Sequence, residues 1–220
     1  MKLSKNTVTL LKNFSGISAN LRITPGKAIS TIASSGSILA EATIEDEFEK
    51  DFAIYDLNEF LGILSLFDDP EIEFDDLTAT IKEGKRKVTC YGAALELIKA
   101  APVLSNIAPT GITFPVPADV LSKILKAASV LKVPDFSIIG DGEEITIQVG
   151  NKKNPTGNSY TNVVGTTDKN FRADIKIENL RMLPGDYECW VANKKMAIFD
   201  SQQAQLRYFV AFDPHSKWDF

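Results

Sequence analysis

The spacing of apolar residues predicts that the chain begins with an amphipathic helix and continues into a run of strands. Residues 4–14 place four apolar side chains on one helical face, at three- and four-residue spacing: Val8, Leu10, Leu11 and Phe14. Strand-like segments follow, namely ANLRIT, AISTIAS, ILAEATIE and KDFAIYD. A second helix is predicted over 57–67, and three more strand-like segments come after it: EIEF, LTATIK and KVTCYG.

A second helix-led unit is predicted from residue 116 onward. The helix over 116–132 has Pro117 in its first turn, where proline is tolerated, and Asp119 near its cap. Its apolar stripe consists of Val120, Leu121, Ile124, Leu125, Ala128 and Leu131. Strands FSIIGD, EITIQVG and FRADIKI follow, and then a short helix over 178–183 that Pro184 would stop. The unit ends with the strands DYECWVAN, KMAIFD and LRYFVAFD.

The two halves therefore repeat one order of elements, which indicates an internal duplication. The segment between them, 99–117, contains four prolines and little periodicity, as is typical of a semi-extended connector. We predict an N-terminal domain over 1–100, a connector over 101–116 and a C-terminal domain over 117–220. The predicted fold class is α+β, with two similar strand-rich domains that contain two helices each.

Basic and acidic residues are segregated along the chain. Residues 1–40 contain five basic side chains and no acidic one: Lys2, Lys5, Lys12, Arg22 and Lys27. Residues 120–134 repeat this pattern with Lys123, Lys126 and Lys132, whereas acids concentrate in 45–51, 68–76 and 141–144. A basic helix face on a chain of net charge −5 favours contact with a polyanion through one surface. The alternative is that these lysines are merely solvated.

Composition narrows the class of protein. With 220 residues, 44% hydrophobic and 24% charged, the chain is expected to be globular rather than disordered. No apolar run approaches the roughly 20 residues of a membrane span, and we expect no signal peptide at the lysine-bearing N-terminus. Cys90 and Cys189 are far apart and form no CxxC motif, so two reduced thiols are predicted.

The sequence offers little that predicts catalysis. It contains none of the motifs GxGxxG, GxxxxGK[ST], HExxH or GxSxG, and His215 is its sole histidine. The segment DDPEIEFDD lacks the glycine of a calcium loop, and proline interrupts the ligand spacing. The loop over 151–162 contains Lys152 and Lys153, which favour either a phosphate contact or a mobile hairpin tip. We expect no enzymatic activity, no cofactor and no metal.

Four segments carry a resemblance to a known family. MKLSKNTVTLLKNF at the start, AIYDLNEFLGILSLFDD over 53–69, NLRMLPGDYE over 179–188 and the terminal DF resemble the DNA polymerase sliding clamps of T-even-type bacteriophages. The resemblance runs from end to end and is densest in the N-terminal half, while residues 77–170 depart from the family pattern.

The resemblance implies a ring of three subunits around duplex DNA, with pseudo-six-fold symmetry, helices around the hole and sheets outside. It implies sequence-independent contact with DNA, binding of the replicative DNA polymerase, loading by a clamp loader ATPase, and contact with a late-transcription sigma factor or co-activator. It also implies residence in the cytoplasm of the infected bacterial host, without a membrane.

Two sets of site residues follow from the charge pattern and the resemblance together. The predicted DNA-facing residues are Lys5, Lys12, Lys123, Lys126, Lys132, Lys176 and Arg181. The predicted partner-binding residues form an apolar wall near the connector: Val103, Leu104, Ile107, Tyr208, Val210, Trp218 and Phe220. Ordinary core packing is the alternative for each residue of the second set.

Two other hypotheses compete with a clamp. The first is a monomeric tandem-domain binding or structural protein that does not encircle DNA. The second is a nuclease or another hydrolase that binds Mg²⁺ through the acidic cluster containing Asp68, Asp69 and Asp76.

Overall fold

Strands dominate the described part of this computed structural model, which comprises residues 1–102, 104, 107, 111–154, 156–192 and 194–219. These residues form three α-helices and sixteen strands. The chain divides into unit 1, Met1–Ser35 with Leu39–Val103, and unit 2, Gly36–Ile38 with Leu104–Phe220. Gly36–Ile38 belongs to unit 2 because Ser37 O accepts a 2.9 Å hydrogen bond from Ala211 N–H.

Unit 1 begins with a helix and continues as antiparallel strands. Its elements are α1 Lys5–Ile17, β1 Leu21–Ile23, β2 Gly26–Ile32, β3 Ile38–Phe48, β4 Phe52–Ile54, α2 Leu57–Leu64, β5 Glu71–Phe74, β6 Thr78–Glu83 and β7 Arg86–Tyr91, followed by a 3-10 turn at Leu95–Leu97. Strand β1 pairs with β4, β2 pairs with β3, and β5, β6 and β7 form a three-stranded sheet in that order.

The core of unit 1 lies under its two helices. Leu10, Leu11 and Phe14 of α1 are almost completely buried, as is Leu57 at the start of α2. Phe74 of β5 fills the space between strands, with its ring centroid 5.0 Å from that of Phe52. Burial of large apolar side chains at this spacing, about 1.5–3 kcal/mol each, holds the helices against the strands.

Unit 2 repeats the arrangement at greater length. Its elements are β8 Thr113–Val116, α3 Ala118–Leu131, β9 Asp135–Asp141, β10 Glu144–Gly150, β11 Tyr160–Thr166, β12 Asn170–Lys176, a 3-10 turn at Ile177–Asn179, β13 Tyr187–Ala192, β14 Met196–Ser201, β15 Leu206–Ala211 and β16 Lys217–Trp218. One sheet has the order β11-β10-β9-β12-β16. A second antiparallel ladder joins β8, β13, β14 and β15 in that order.

The five-stranded sheet of unit 2 has one apolar face and one polar face. Ile145, Ile147 and Val149 alternate along β10 and are buried on the side that packs against α3. Gly140 of β9 is required because the Phe171 ring occupies the place of a side chain: a Cβ there would lie 2.3 Å from Phe171 Cε1.

The predicted duplication is confirmed by the pairing of the strands. Pairs β1·β4 and β2·β3 of unit 1 correspond to β9·β12 and β10·β11 of unit 2, and β5-β6-β7 corresponds to β13-β14-β15. The α+β fold class and the two repeated domains are therefore confirmed. The domain boundaries at 100 and 117 stay predictions.

Three element predictions differ from the structure. The predicted helix over 178–183 is wrong, because only a 3-10 turn forms and Leu180, at φ −89° and ψ 57°, leaves the helical region. Unit 2 thus has one α-helix within its described residues. Thr113–Val116, placed in the predicted connector, is a strand that pairs with β13. The helix predicted over 57–67 ends at Leu64, and Ser65 caps it.

Candidate nucleic-acid interface

The N-terminus of α1 is fixed by two polar side chains. Ser4 is the N-cap, and its Oγ accepts a 3.2 Å hydrogen bond from Thr7 N–H. The Asp46 carboxylate in turn accepts from Ser4 N–H, with Oδ2 at 3.0 Å. Partial burial acts to raise the pKa of Asp46, but hydrogen bonds from Thr7 and Ser4 outweigh it and lower that pKa below its ordinary value. The start of the helix therefore sits on a fixed anionic cap.

The exposed face of α1 carries two lysines and no acid. Lys5, Thr9, Lys12 and Gly16 are all exposed and follow one another at spacings of four, three and four residues, so they share one side of the helix. Among the described residues, no acidic side chain forms an ion pair with Lys5 or Lys12. Both ammonium groups are thus available to an external anion.

The start of helix α3 is fixed by a side chain that is distant in the sequence and precedes β13. Ala118 N–H, in its first turn, donates a 2.7 Å hydrogen bond to Asp186 Oδ1. The buried face consists of Leu121, Ile124 and Ala128. At the other end Lys132 adopts the left-handed conformation, with φ 53° and ψ 45°, and its N–H bonds back to the carbonyls of the last turn.

The exposed face of α3 carries Lys123 and Lys126, and Lys132 is exposed at its C-terminal cap. Lys123 is not free, since its Nζ lies 2.8 Å from Asp119 Oδ2. This hydrogen bond raises the pKa of Lys123 and lowers that of Asp119. Lys126 and Lys132 form no ion pair with any acid among the described residues. The acid-free segment identified in the sequence, residues 120–134, begins one residue after Asp119. The ion pair between Asp119 and Lys123 was therefore not predicted.

The two helices match position by position. Aligning their buried faces places Leu10 on Ile124 and Phe14 on Ala128. In the same alignment Lys12 falls on Lys126. One lysine therefore occupies an equivalent exposed position in both repeats, which is stronger support for a shared role than either charge alone.

The structure gives two other predicted DNA-facing residues different surroundings. Lys176, on β12, forms an ion pair with Asp135, whose carboxylate is almost completely buried. This bond raises the pKa of Lys176. Its charge neutralises a buried acid, and the assignment of Lys176 to DNA stays a prediction. Arg181 follows the 3-10 turn and donates through Nε to Glu178 O at 2.9 Å, so it is not on a helix.

The predicted partner-binding wall does not form from all of its members. Tyr208 and Val210 of β15 have 0% exposure, and their assignment is wrong because both are core residues of unit 2. Burial raises the pKa of Tyr208 to about 12, and its hydroxyl oxygen accepts from Leu183 N–H. Trp218 is half-buried and stacks on Phe171 with centroids 5.7 Å apart.

The remaining members of that wall lie at or near the connector. Leu104 and Ile107 are half-buried, and Ile107 N–H donates to Leu104 O at 3.2 Å. Val103 and Phe220 lie outside the described residues. The prediction for Leu104 and Ile107 therefore stays a prediction.

The acidic cluster shows no metal geometry. Across the described residues, no group of three or more His, Cys, Asp or Glu side chains is arranged to hold a metal ion. Asp69 instead pairs with Lys2, and Asp76 lies 3.9 Å from Lys50 Nζ. Within the same part of the chain, no helix has the length and apolar character to cross a membrane.

Comparisons with known proteins agree with the repeated helix-led units. The family model for the DNA polymerase processivity factor matches residues 2–102. The sliding clamp of Escherichia phage RB69 is 35% identical over the full length of both chains, and that of Enterobacteria phage T4 is 34% identical, also over both full lengths. The sliding clamp of Vibrio phage KVP40 is 30% identical over 96% of this chain and 98% of that protein.

Solved structures show the same fold at low identity. The structure of the C-terminal region of FEN-1 bound to A. fulgidus PCNA aligns with a TM-score of 0.71 at 12% identity, covering 99% of this chain and 100% of that chain. The DNA polymerase III subunit beta sliding clamp of Bartonella birtlesii aligns with a TM-score of 0.71 at 12% identity, covering 97% and 64%. Taken with the full-length phage relatives, these findings confirm the resemblance read from the sequence: the chain belongs to the sliding clamp family of DNA polymerase processivity factors.

Proposed function

We propose that this sliding clamp acts as a homotrimeric, non-catalytic ring that encircles duplex DNA and tethers the replicative DNA polymerase. The observation that carries the proposal is the pair of equivalent helices, α1 and α3, which expose Lys12 and Lys126 at matching positions. Three copies would place six such helices around one duplex. Membership of the clamp family supports this arrangement over a monomeric tandem-domain protein.

The mechanism depends on threading rather than on tight binding. Duplex DNA carries about one negative charge per 1.7 Å of axis, so a few exposed lysines per subunit give weak contacts that are independent of sequence and sensitive to salt. Weak contacts allow sliding, whereas many tight ones would stop it. The ion pair between Lys123 and Asp119 fits this requirement, because it lowers the positive charge that α3 presents.

Subunits would join through strand edges that the chain leaves unpaired. In the described part of unit 1, β7 pairs only with β6, while the other edge of that sheet is bridged by Met1, which exchanges 2.7 Å hydrogen bonds with Ile72. In unit 2, β11 is an outer strand of the five-stranded sheet. Pairing β7 of one copy with β11 of the next gives a head-to-tail interface, and a suitable rotation closes it into a ring.

Exposed apolar side chains lie at both of these edges. Tyr91, the last residue of β7, is 82% exposed, and Leu77, whose carbonyl bonds to Gly92 N–H, is 59% exposed. Val163 on β11 is 53% exposed. Large apolar groups exposed together with free backbone edges are typical of surfaces that become covered on association.

The ring would serve as a mobile platform in the cytoplasm of the infected bacterial host. A polymerase bound to it rebinds DNA as an intramolecular event at high effective concentration, so synthesis continues without loss of the template. Opening would require a separate clamp loader ATPase, and a late-transcription sigma factor or co-activator would use the same platform. Leu104 and Ile107 are the residues we assign to docking of partner tails.

The decisive experiment measures retention of the loaded protein on DNA. After loading, the protein is expected to persist on nicked circles and to leave the same DNA within seconds once one end is cut free. Light scattering at micromolar concentration is expected to give about three times the chain mass of 24.1 kDa. Equal retention on circles and open linear DNA, together with a mass of one chain, would support the monomeric alternative.

The interface has its own test. Val163→Asp should place a charge on the β11 edge and shift the mass toward one chain. The matched control is Val130→Asp, which introduces the same charge at another exposed valine, 71% accessible, on α3. A trimeric Val163→Asp protein would show that β11 is not at the interface, even if the ring itself is correct.

A further inference from the structure

The start of α3 is tied to an aspartate that a sheet holds in place. Asp186 immediately precedes β13, and Tyr187, the first residue of that strand, pairs with Val116 just before the helix. This pairing brings the Asp186 carboxylate to Ala118, whose N–H donates to Oδ1 at 2.7 Å. Pro117, at the N-cap, forms no side-chain cap of its own. The first turn of α3 therefore depends on a residue 68 positions away in the chain.

The turn between β14 and β15 holds Asp186 from the other side. Gln203 Nε2 donates to Asp186 Oδ2 at 2.6 Å, and Asp186 N–H donates to Gln203 Oε1 at 3.1 Å. Gln202 N–H also donates to Asp186 O, at 2.9 Å. Each carboxylate oxygen of Asp186 thus has its own donor. Because hydrogen bonds are directional, these contacts restrain the orientation of the carboxylate and, through it, of the helix.

A second aspartate holds the start of α1. Asp46 lies on β3, and Ser4 N–H lies 3.2 Å from its Oδ1 and 3.0 Å from its Oδ2. The regular pairing of β3 with β2 breaks between Thr43 and Phe48, in the stretch that contains Asp46. A β-bulge or similar irregularity of this kind redirects a side chain. The strand therefore departs from regular geometry at the point where it contacts the helix.

The two aspartates make similar contacts from non-equivalent positions of the repeat. Asp46 is on β3, which corresponds to β11, whereas Asp186 precedes β13, which corresponds to β5. Duplication of one residue therefore does not account for both contacts. What the two places share is the helix that is held, and these are the two helices that expose Lys12 and Lys126 at matching positions.

Fixing the start of a helix determines where its lysines point. Apolar packing is non-directional, whereas a hydrogen bond requires a narrow range of distance and angle. A slip of one residue moves a side chain by about 1.5 Å along the helix axis and by about 100° around it. A rotation of that size would carry Lys126 away from the exposed face of α3, and Lys12 away from that of α1.

We propose that Asp186 and Asp46 are positioning residues for DNA contact. Each sets the rotation of one helix, so that Lys126 of α3 or Lys12 of α1 faces the duplex, and each acts through its helix without binding DNA itself. This inference rests on the proposed function, since it takes α1 and α3 to line the hole. The lysine of each helix is then coupled to the aspartate that holds the same helix, and not to the other aspartate.

A double-mutant cycle on the full-length protein tests this coupling, with affinity for a fluorescein-labelled duplex measured by anisotropy over a salt series. In the parent protein, Lys126→Ala is expected to weaken binding about two- to threefold and to make its salt dependence shallower. In the Asp186→Ala background, Lys126→Ala should change affinity less than about 1.5-fold, while Lys12→Ala keeps its full effect. Asp46→Ala should give the reverse pattern. A general loss of stability would diminish both lysine effects alike.

A milder variant keeps the test valid if Asp186→Ala fails to fold. Gln203 is exposed, so Gln203→Ala loosens the hold on Asp186 without removing a core side chain. It should reduce the effect of Lys126→Ala and leave that of Lys12→Ala unchanged. Gln202→Ala is the matched control, because the exposed Gln202 side chain donates to Asp200 O and not to Asp186. It should leave both lysine effects at their parent values.

The possible results separate this inference from the ring itself. If Lys126→Ala has the same effect in the parent, Asp186→Ala and Gln203→Ala proteins, the positioning role is overturned and the lysine remains a DNA contact. If either aspartate variant abolishes both lysine effects, the positioning role is also overturned, because the aspartate then acts through overall stability. If neither Lys126→Ala nor Lys12→Ala changes binding in the parent protein, this inference and the DNA-facing role of the two helices fail together.

Discussion

Asp119 and Lys123 form an ion pair one helical turn apart on α3, with Lys123 Nζ 2.8 Å from Asp119 Oδ2. Both side chains are exposed, and the acid precedes the base, which is the favourable order along a helix. The pair restrains one of the two lysines that α3 presents to solvent, while Lys126 remains unrestrained. Asp119 therefore competes with an external phosphate for the ammonium group of Lys123.

Removing that competitor should strengthen contact with DNA. Asp119→Asn is expected to raise affinity for duplex DNA about two- to threefold at low salt, and to make the fall of affinity with salt steeper by about one counterion. Fluorescence anisotropy across a salt series would measure both. Asp168→Asn breaks a similar exposed pair, with Lys169, outside the helices and should leave DNA affinity unchanged. Unaltered binding by Asp119→Asn would mean that Lys123 does not face DNA.

Reversing the charge at the equivalent positions should impair the clamp. Lys12→Glu and Lys126→Glu are each expected to shorten retention on DNA circles, and the double variant to do so more strongly, because three copies turn six attractive charges repulsive. Lys195→Glu, in the exposed turn before β14, is the control of equal charge change. Processive synthesis at moderate salt is the readout. If the double variant behaves like the control, α1 and α3 do not line the hole.

Lys176 should matter for stability and not for DNA. Lys176→Met removes the partner of the almost fully buried Asp135 and is expected to lower the free energy of unfolding by about 1–3 kcal/mol, since Lys152 N–H still bonds to that carboxylate. Urea denaturation would measure the loss. The double variant Lys176→Met with Asp135→Asn should recover part of it. Reduced retention on DNA circles in a still-folded Lys176→Met protein would instead support Lys176 as a DNA contact.

Acid should weaken the attachment of the C-terminal segment. Lys152 Nζ lies 2.6 Å from Asp213 Oδ2, and this ion pair lowers the pKa of Asp213. The stabilisation is therefore fully present above the ordinary aspartate value of about 3.9 and is lost as pH falls below it. Asp213→Asn is therefore expected to be less stable than the parent at pH 7 and to lose less stability between pH 5 and 2.5. Urea midpoints at each pH would show this as a shallower curve. Parallel curves would mean that the ion pair contributes nothing.

Tyr208 tests the corrected partner site. Tyr208→Phe is expected to cost about 1 kcal/mol, because Leu183 N–H loses the hydroxyl oxygen that accepts its 3.1 Å hydrogen bond. Affinity for a peptide from the polymerase tail should not change, whereas Leu104→Ala and Ile107→Ala should weaken it. A selective loss of peptide binding in Tyr208→Phe, at unchanged stability, would return Tyr208 to the partner surface.

Periodicity and charge predicted the helices and the repeat because those signals are local. The stripe of α3 specifies both its buried face and, by exclusion, the exposed positions of Lys123 and Lys126. The pattern over 178–183 failed because apolar spacing across six residues cannot distinguish a helix from a turn that packs Leu180 into a core.

Ion pairs between strands could not be predicted from the sequence, because they depend on strand register. Lys176 meets Asp135 only because β12 pairs with β9 at those residues. Likewise, the burial of Tyr208 and Val210 follows from the position of β15 beside β14, which no local pattern specifies.

The free edges of β7 and β11 also create a risk of uncontrolled association for the unassembled subunit. Two complementary edges on one molecule allow growth without limit, so a small error in the angle between neighbours would produce filaments in place of rings. Arg86 and Lys87, both exposed at the start of β7, place charged side chains on that edge, and such side chains oppose unwanted strand pairing. In the proposed ring, neutralising them would leave correct closure to depend on the angle between neighbouring subunits alone.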